Sequence, residues 1–198
     1  VKAVFGLGNP GLGYVLSRHN VGFQVIDLYR RVHRLRRKGT ITAHSLVYRT
    51  DELLLVKPLT YMNSSGRAVQ AVLAQFNVAL GDALVAYDDL DFPLGAMRIL
   101  AAGGPGSHNG MRSVLASLGS EGLPRLRIGI GMDSRPEDSV DYVLGRFTPR
   151  EWEALFPVLE RAVEAIEAFS TCDVVTLMNR FNRRGSPIAA EGDASIIL

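Results

Sequence analysis

The chain of 198 residues holds one cysteine, Cys172, and one tryptophan, Trp152. A single thiol excludes an internal disulfide framework and any zinc site built on cysteines, and it suits a reducing compartment. No run of about 18 apolar residues is present, which excludes a membrane-spanning helix. The four histidines fall at no His-x-His, His-x-x-x-His or His-x-x-Glu spacing, which disfavours a zinc hydrolase. No Gly-x-Ser-x-Gly elbow exists for a serine nucleophile. Acids are scarce at the start: residues 1–50 hold nine Lys/Arg and only Asp27, whereas residues 51–198 hold thirteen against nineteen acids. The net charge of +2 therefore hides an asymmetry. Nineteen of the cations are Arg and three are Lys; arginine suits bidentate phosphate contact, so a polyanionic partner stands beside the plainer reading of solvated helix faces.

What remains is ordinary globular material, 47% hydrophobic and 21% charged, at a length that fits one well-buried domain. Val1–Gly6 enters a strand pattern directly rather than a signal peptide, so a soluble cytoplasmic domain is the expectation. A helix is expected from about Asn20 to His33, where Val21, Val25, Leu28 and Val32 recur at helical spacing. Residues 41–49 read as one half-exposed strand, and Leu53–Val56, Ala83–Tyr87, Ala96–Leu100 and Arg125–Ile130 as four more. Further helices are expected over 66–76 and from the glycine loop 103–110 to about Leu118. Thr148-Pro149-Arg150-Glu151 has the form of a capping box with proline at N1. It opens a helical run that Pro157 is expected to break or kink, before a short helix after Asp173. Met132–Asp138 reads as a loop within a lid-like stretch, 132–148, and residues 185–198 as a loose tail. The sum is an α/β fold: a single three-layer domain over 1–184 with a mixed, largely parallel central sheet flanked by helices.

Two glycine motifs fail on inspection. Gly6-x-Gly8-x-x-Gly11 matches the dinucleotide fingerprint, but Pro10 precedes the third glycine and helical periodicity starts only near Asn20. The loop 103–110 lacks the Gly-Lys-Ser/Thr ending of a phosphate loop. More informative is where polar residues fall. Asn9 and His19 follow the first strand, Asn63 follows Leu53–Val56, Asp88 follows Ala83–Tyr87, and His108 and Asn109 follow the strand ending near Leu100. Ligands of open α/β sheets bind outside the carboxyl ends of the strands, so these residues are expected to share a crevice. They allow a metal site of His19 and His108 with Asp88, Asp89 and Asp91, or a histidine general base oriented by Asp88. Cys172 lies in a helical region and reads as a small buried apolar residue, so water activated by histidine is the favoured chemistry.

The same residues carry a family resemblance. Phe5-Gly6-Leu7-Gly8-Asn9-Pro10-Gly11, Tyr14 and Arg18-His19-Asn20-x-Gly22 resemble the N-terminal motifs of bacterial-type peptidyl-tRNA hydrolase. Lys57-Pro58-x-Thr60-Tyr61-Met62-Asn63-x-Ser65-Gly66, Tyr87-Asp88-Asp89-Leu90-Asp91, Gly106-Ser107-His108-Asn109-Gly110 and Arg125–Gly131 continue it in order, over about residues 2–184. The resemblance implies cleavage of the ester between a peptide, or an N-blocked amino acid, and the terminal ribose of tRNA, freeing the tRNA for reuse. It implies His19 as base, Asp88 as its holder and Asn9 as the residue that separates blocked from free aminoacyl-tRNA. It implies Tyr14, Tyr61, Met62, Asn63, His108 and Asn109 at the substrate, with no cofactor, no membrane, and a monomer acting on the tRNA acceptor end. Two departures stand out: Arg98 alone remains of the family's basic residues before the glycine loop, which leaves it as the local 5′-phosphate clamp, and Ser107 replaces a common glycine. A non-catalytic RNA-binding protein on the same fold, as among chloroplast splicing-factor relatives, is the rival class.

Overall fold

The computed structural model describes residues 1–132 and 136–182. The expected tail 185–198 and part of the Met132–Asp138 loop lie outside the described residues. The elements run β1 (Lys2–Gly6), α1 (Val21–Val32), β2 (Thr40–Thr42), β3 (Ser45–Arg49), β4 (Leu53–Pro58), α2 (Ser65–Phe76) and β5 (Ala83–Pro93). Then follow β6 (Met97–Leu100), α3 (Asn109–Leu118), β7 (Arg125–Gly131), α4 (Ser139–Leu144), α5 (Pro149–Thr171) and α6 (Val174–Phe181). Seven strands pair in the order β2-β3-β4-β1-β5-β7-β6. The central four are parallel, and antiparallel pairs close both edges.

The apolar strands are buried on both faces, as Leu53–Val56 and Ala83–Ala86 require. One core joins α1, α5 and α6 to the sheet through Val25, Ile26, Leu159, Ile166 and Phe169. The other face packs α2 and α3 through Val69, Val72, Met111 and Val114. The result is the three-layer architecture expected from the interspersed strands and helices.

The first glycine motif serves packing. A Cβ on Gly6 would stand 2.2 Å from the Gly22 carbonyl oxygen, and one on Gly22 would stand 2.4 Å from the Leu7 nitrogen. Only glycine at both positions lets α1 press against β1. That contact sets the start of α1, and the turn before it, against the carboxyl ends of β1 and β5.

Four expectations need correction. Residues 41–49 are a hairpin and not one strand, because Ala43 and His44 adopt φ of 48° and 54° and fold β2 onto β3. β5 continues past Tyr87 to Pro93, with a register shift between Asp89 and Pro93, so Asp88 lies within the strand. α5 runs unbroken through Pro157. Pro157 and Glu153 are exposed, so the carbonyl that the ring leaves without a donor lies on the solvent-facing side of the helix. Finally, the lid-like stretch contains a helix, α4, whose N-cap Asp138 accepts from the Val140 and Asp141 amides.

Candidate active site

His19 sits in a 3-10 turn, Arg18–Asn20, directly before α1, and is 9% exposed. Its Nδ1 lies 2.8 and 3.0 Å from the two Asp88 carboxylate oxygens. His108 Nε2 lies 2.9 Å from Asp88 Oδ1, so one carboxylate serves two imidazoles. The two rings stand 4.9 Å apart between centroids.

The remaining ring nitrogens separate the two histidines. His108 is the N-cap of α3, and its Nδ1 accepts from the Met111 amide at 3.1 Å. An acceptor at Nδ1 requires the proton on Nε2, where it is donated to Asp88. Both nitrogens of His108 are thereby engaged. His19 donates Nδ1–H to Asp88, and its Nε2 takes no hydrogen bond among the described residues. His19 lines a small, open cavity of about 80 Å³ together with Asp88, His108, Asn109, Val140 and Val143.

Electrostatics follow from this geometry. Burial alone pushes the His19 pKa down, but the Asp88 charge and hydrogen bond outweigh it, so the pKa stands above 6.5. Burial pushes the Asp88 carboxyl up, yet the two facing imidazoles hold it well below the usual carboxylate range. Asp88 is therefore ionised across neutral pH.

Asn9 is tied in from a different side. Its backbone amide donates to Asn20 Oδ1 at 2.8 Å, and Asn20 Nδ2 returns a bond to the Asn9 carbonyl at 3.0 Å. Asn9 Oδ1 accepts from the Met62 amide at 2.8 Å. That bond fixes which end of the carboxamide is oxygen and leaves Nδ2 as a donor without a partner among the described residues. Met62 is itself buried, and its sulfur approaches Gly110 beside His108. Asn109 is exposed on the cavity wall and accepts from Arg112 at 3.0 Å.

Asn9 and Met62 do not line this cavity, and neither do the other expected site residues. Tyr61 is 61% exposed and Asn63 is exposed; both belong to the 3-10 turn region that Asn9 holds through Met62. Tyr14 is half-buried in the turn after Gly11, and Ser17 Oγ donates to its carbonyl. Arg98 is exposed on the edge strand β6, outside the cavity lining, and faces Arg127 across the β6–β7 pair. It is therefore not the sole cation there, although Arg127 is bonded to Asp89.

Four contributors went unread in the sequence. Asn20 locks Asn9, and its place beside His19 in the Arg18-His19-Asn20 motif was the available signal. Arg18 holds α4 near the site: it pairs with Glu151 at 2.8 Å, bonds the Tyr142 carbonyl and stacks on the Tyr142 ring at 4.2 Å. Val140 and Val143 bring an apolar wall to the cavity.

His19, Asp88 and His108 could present ligand atoms within 4.8 Å of one another. An ion among them would break the Asp88 bonds to both imidazoles and the cap of α3. The set fits a hydrogen-bonded base better than a resident metal, and Asp89 is already engaged by Arg127 and Asp91 by Ser107.

Comparison with known proteins identifies the family. The family model for peptidyl-tRNA hydrolase matches residues 3–189. A peptidyl-tRNA hydrolase of Syntrophomonas wolfei subsp. wolfei is 42% identical over 186 residues, covering 92% of this chain and 100% of the relative. One from Aquifex aeolicus is 45% identical over 171 residues, covering 84% of this chain and 88% of its own length. The crystal structure of peptidyl-tRNA hydrolase from Acinetobacter baumannii superposes with a TM-score of 0.84 at 30% identity, covering 92% of this chain and 94% of that one. Fold, cavity and sequence thus lead to one place: the chain belongs to the peptidyl-tRNA hydrolase family.

Proposed function

We propose that this chain hydrolyses the ester joining a peptide, or an N-blocked amino acid, to tRNA, with His19 as general base. The observation that carries the reading is the free Nε2 of His19 in the cavity, opposite an Nδ1 held by Asp88. Nε2 takes a proton from water as its oxygen attacks the ester carbonyl. Asp88 keeps the tautomer and stabilises the imidazolium that forms. The same proton then goes to the departing ribose oxygen, giving free tRNA and a peptide carboxylic acid that loses its remaining proton to water at neutral pH. The open Nδ2 of Asn9 and the Asn109 amide supply donors for the developing oxyanion. No metal or cofactor enters these steps. The reading includes action as a monomer in the cytoplasm, where its tRNA substrate is found; among the described residues no helix is long and apolar enough to cross a membrane.

Incubation with N-acetyl-aminoacyl-tRNA, with and without a chelator, tests the reading. Release of N-acetyl amino acid unaffected by chelator is expected. Binding without release would favour the RNA-binding class, and chelator-sensitive release a metal enzyme.

Selectivity is expected to reside in Asn9. A free α-amino group is largely cationic near pH 7, whereas a blocked one is a neutral amide that pairs with carboxamides. Asn9→Ala should narrow the rate ratio between N-acetylated and free aminoacyl-tRNA by about tenfold or more, the worth of one lost buried hydrogen bond. An unchanged ratio removes Asn9 from that role.

Arg98 and Arg127 share a face of the β6–β7 pair; Arg127 is paired with Asp89, whereas no carboxylate pairs with Arg98 among the described residues, so Arg98 is the cation there that is open to a further anion. The tRNA 5′-phosphate is the proposed anion. Arg98→Ala should raise KM and flatten the slope of log affinity against log salt by about one, with kcat nearly unchanged. Affinity and slope both unmoved would put the clamp elsewhere.

A further inference from the structure

A basic segment takes no part in the site above. α1 starts beside His19 and ends at Val32, so at about 1.5 Å per residue its far end lies roughly 18 Å from the catalytic turn. Arg30, Arg31, Arg34, Arg36, Arg37 and Lys38 gather there, and residues 28–50 contain no acid. Arg49, at the end of β3, shares a cleft with Arg37 and Lys38 along the edge strand β2. The nearest acid, Asp27, is held by Lys57 at 2.7 Å and approached by Arg30 at 3.9 Å. His33 faces Glu167 at 4.0 Å. Among the described residues, no carboxylate pairs with Arg31, Arg34, Arg36, Arg37, Lys38 or Arg49.

The helix dipole does not account for the set. Cations favour the last turn of a helix, where Arg30 and Arg31 stand, but the effect fades within that turn. Arg36, Arg37 and Lys38 lie four or more residues beyond α1. Five of the six cations over 30–38 are arginines, whose planar forks match phosphate oxygens better than the lysine point charge does. A lipid surface is the poorer match. Interfacial helices present a continuous apolar face with large residues such as Trp, Phe and Leu, whereas Leu28 and Tyr29 are buried and Leu35 packs on the core, which leaves Val32 and Ile41 as the large apolar residues exposed near the cluster.

Position separates this surface from the substrate's acceptor end. β2 and β6 are opposite edges of the sheet, six strand spacings or about 29 Å apart. α1 also returns toward the amino ends of the parallel strands, away from the cavity. We propose that the Arg30–Lys38 segment with Arg49 is a second RNA-binding surface, holding the phosphate backbone of an RNA other than the tRNA in the site. This goes beyond the hydrolytic reading and does not depend on it.

The test uses the full chain and the variant R31Q/R34Q/R36Q/R37Q/K38Q. One arm titrates a fluorescent RNA duplex without an acyl group or single-stranded end, between 50 and 200 mM salt. The other measures hydrolysis of a short N-acetyl-aminoacyl oligonucleotide. The variant is expected to bind the duplex at least tenfold more weakly at 50 mM salt. Its slope of log affinity against log salt should flatten by about three to four, near 0.9 per lost phosphate contact. Turnover of the short ester should stay within twofold, which also reports an intact fold, and saturating duplex should leave its KM unchanged. The smaller variant R36Q/R37Q should flatten the slope by about half as much, and it carries the test if the larger one does not fold. Unchanged duplex affinity and slope overturn the proposal. So does duplex that raises the short-ester KM, which would place it in the active site. Loss of binding to anionic lipid vesicles with RNA binding intact would assign the surface to lipid. A raised KM for whole N-acetyl-aminoacyl-tRNA with duplex binding intact would assign it to the substrate's own body.

Discussion

Replacing His19 with alanine is expected to lower kcat on N-acetyl-aminoacyl-tRNA by about 10²–10⁴-fold while leaving KM near that of the parent. The range is what a positioned general base contributes to ester hydrolysis. Of the two histidines that line the cavity, the substitution removes the one whose ring keeps a nitrogen without a hydrogen-bond partner among the described residues, and it leaves the carboxamides and arginines that would bind substrate in place. His108→Ala is the instructive comparison. His108 shares Asp88 and lines the same cavity, but its nitrogens cap α3 and donate to Asp88. Its loss should cost about 0.5–2 kcal/mol of stability as a missing cap and a smaller part of the rate. The measurement is single-turnover hydrolysis with both proteins saturated. A His19→Ala protein that turns over like the parent, beside a dead His108→Ala protein, would exchange the two roles.

How much of this was legible beforehand depends on what each residue needed to be understood. The capping box at Thr148–Glu151 was readable because all its partners lie within four residues, and the structure contains both of its bonds. The apolar runs of β1, β4 and β5 were readable because burial on both faces leaves no alternation to misread. The turn at Ala43-His44 was not, because its left-handed backbone is formed without glycine, asparagine or aspartate. Pro157 misled for a related reason. The cost of a helical proline depends on whether the freed carbonyl meets water, and that depends on which way α5 faces. The candidate site divides along the same line. His19, Asp88, Asn9 and Asn109 could be nominated one at a time, and the family motifs marked them. That His108 and His19 share one carboxylate with different free nitrogens is a tertiary fact, as is Arg127 opposite Arg98. Asn20 was within reach, since a polar residue beside a candidate base and buried at a helix start requires partners.

Asp88→Asn is expected to lower kcat/KM by about 10³–10⁴-fold and to move its pH dependence in a definite direction. The carboxylate is acceptor-only and takes Nδ1–H from His19. An amide offers one oxygen for two imidazoles and turns an N–H toward the other, so the tautomer with a free Nε2 lone pair is no longer enforced. The wrong tautomer in a comparable histidine–aspartate pair costs about 10⁴-fold. The pH effect follows from the opposing influences on His19. In the parent, burial lowers its pKa while the Asp88 charge and hydrogen bond raise it to above 6.5. The base works only when neutral, so parent activity should rise with pH along a limb centred above 6.5. Asparagine removes the two raising influences and leaves burial, so the limb should move to below 6.5. The variant's deficit should therefore be smaller at pH 6 than at pH 8, where more of the parent's base is neutral. A kcat/KM profile of both proteins from about pH 5 to 9 measures this directly. A limb that stays at the parent position would mean that something other than Asp88 sets the His19 pKa, and Asp88 would lose its place as the residue that holds the base.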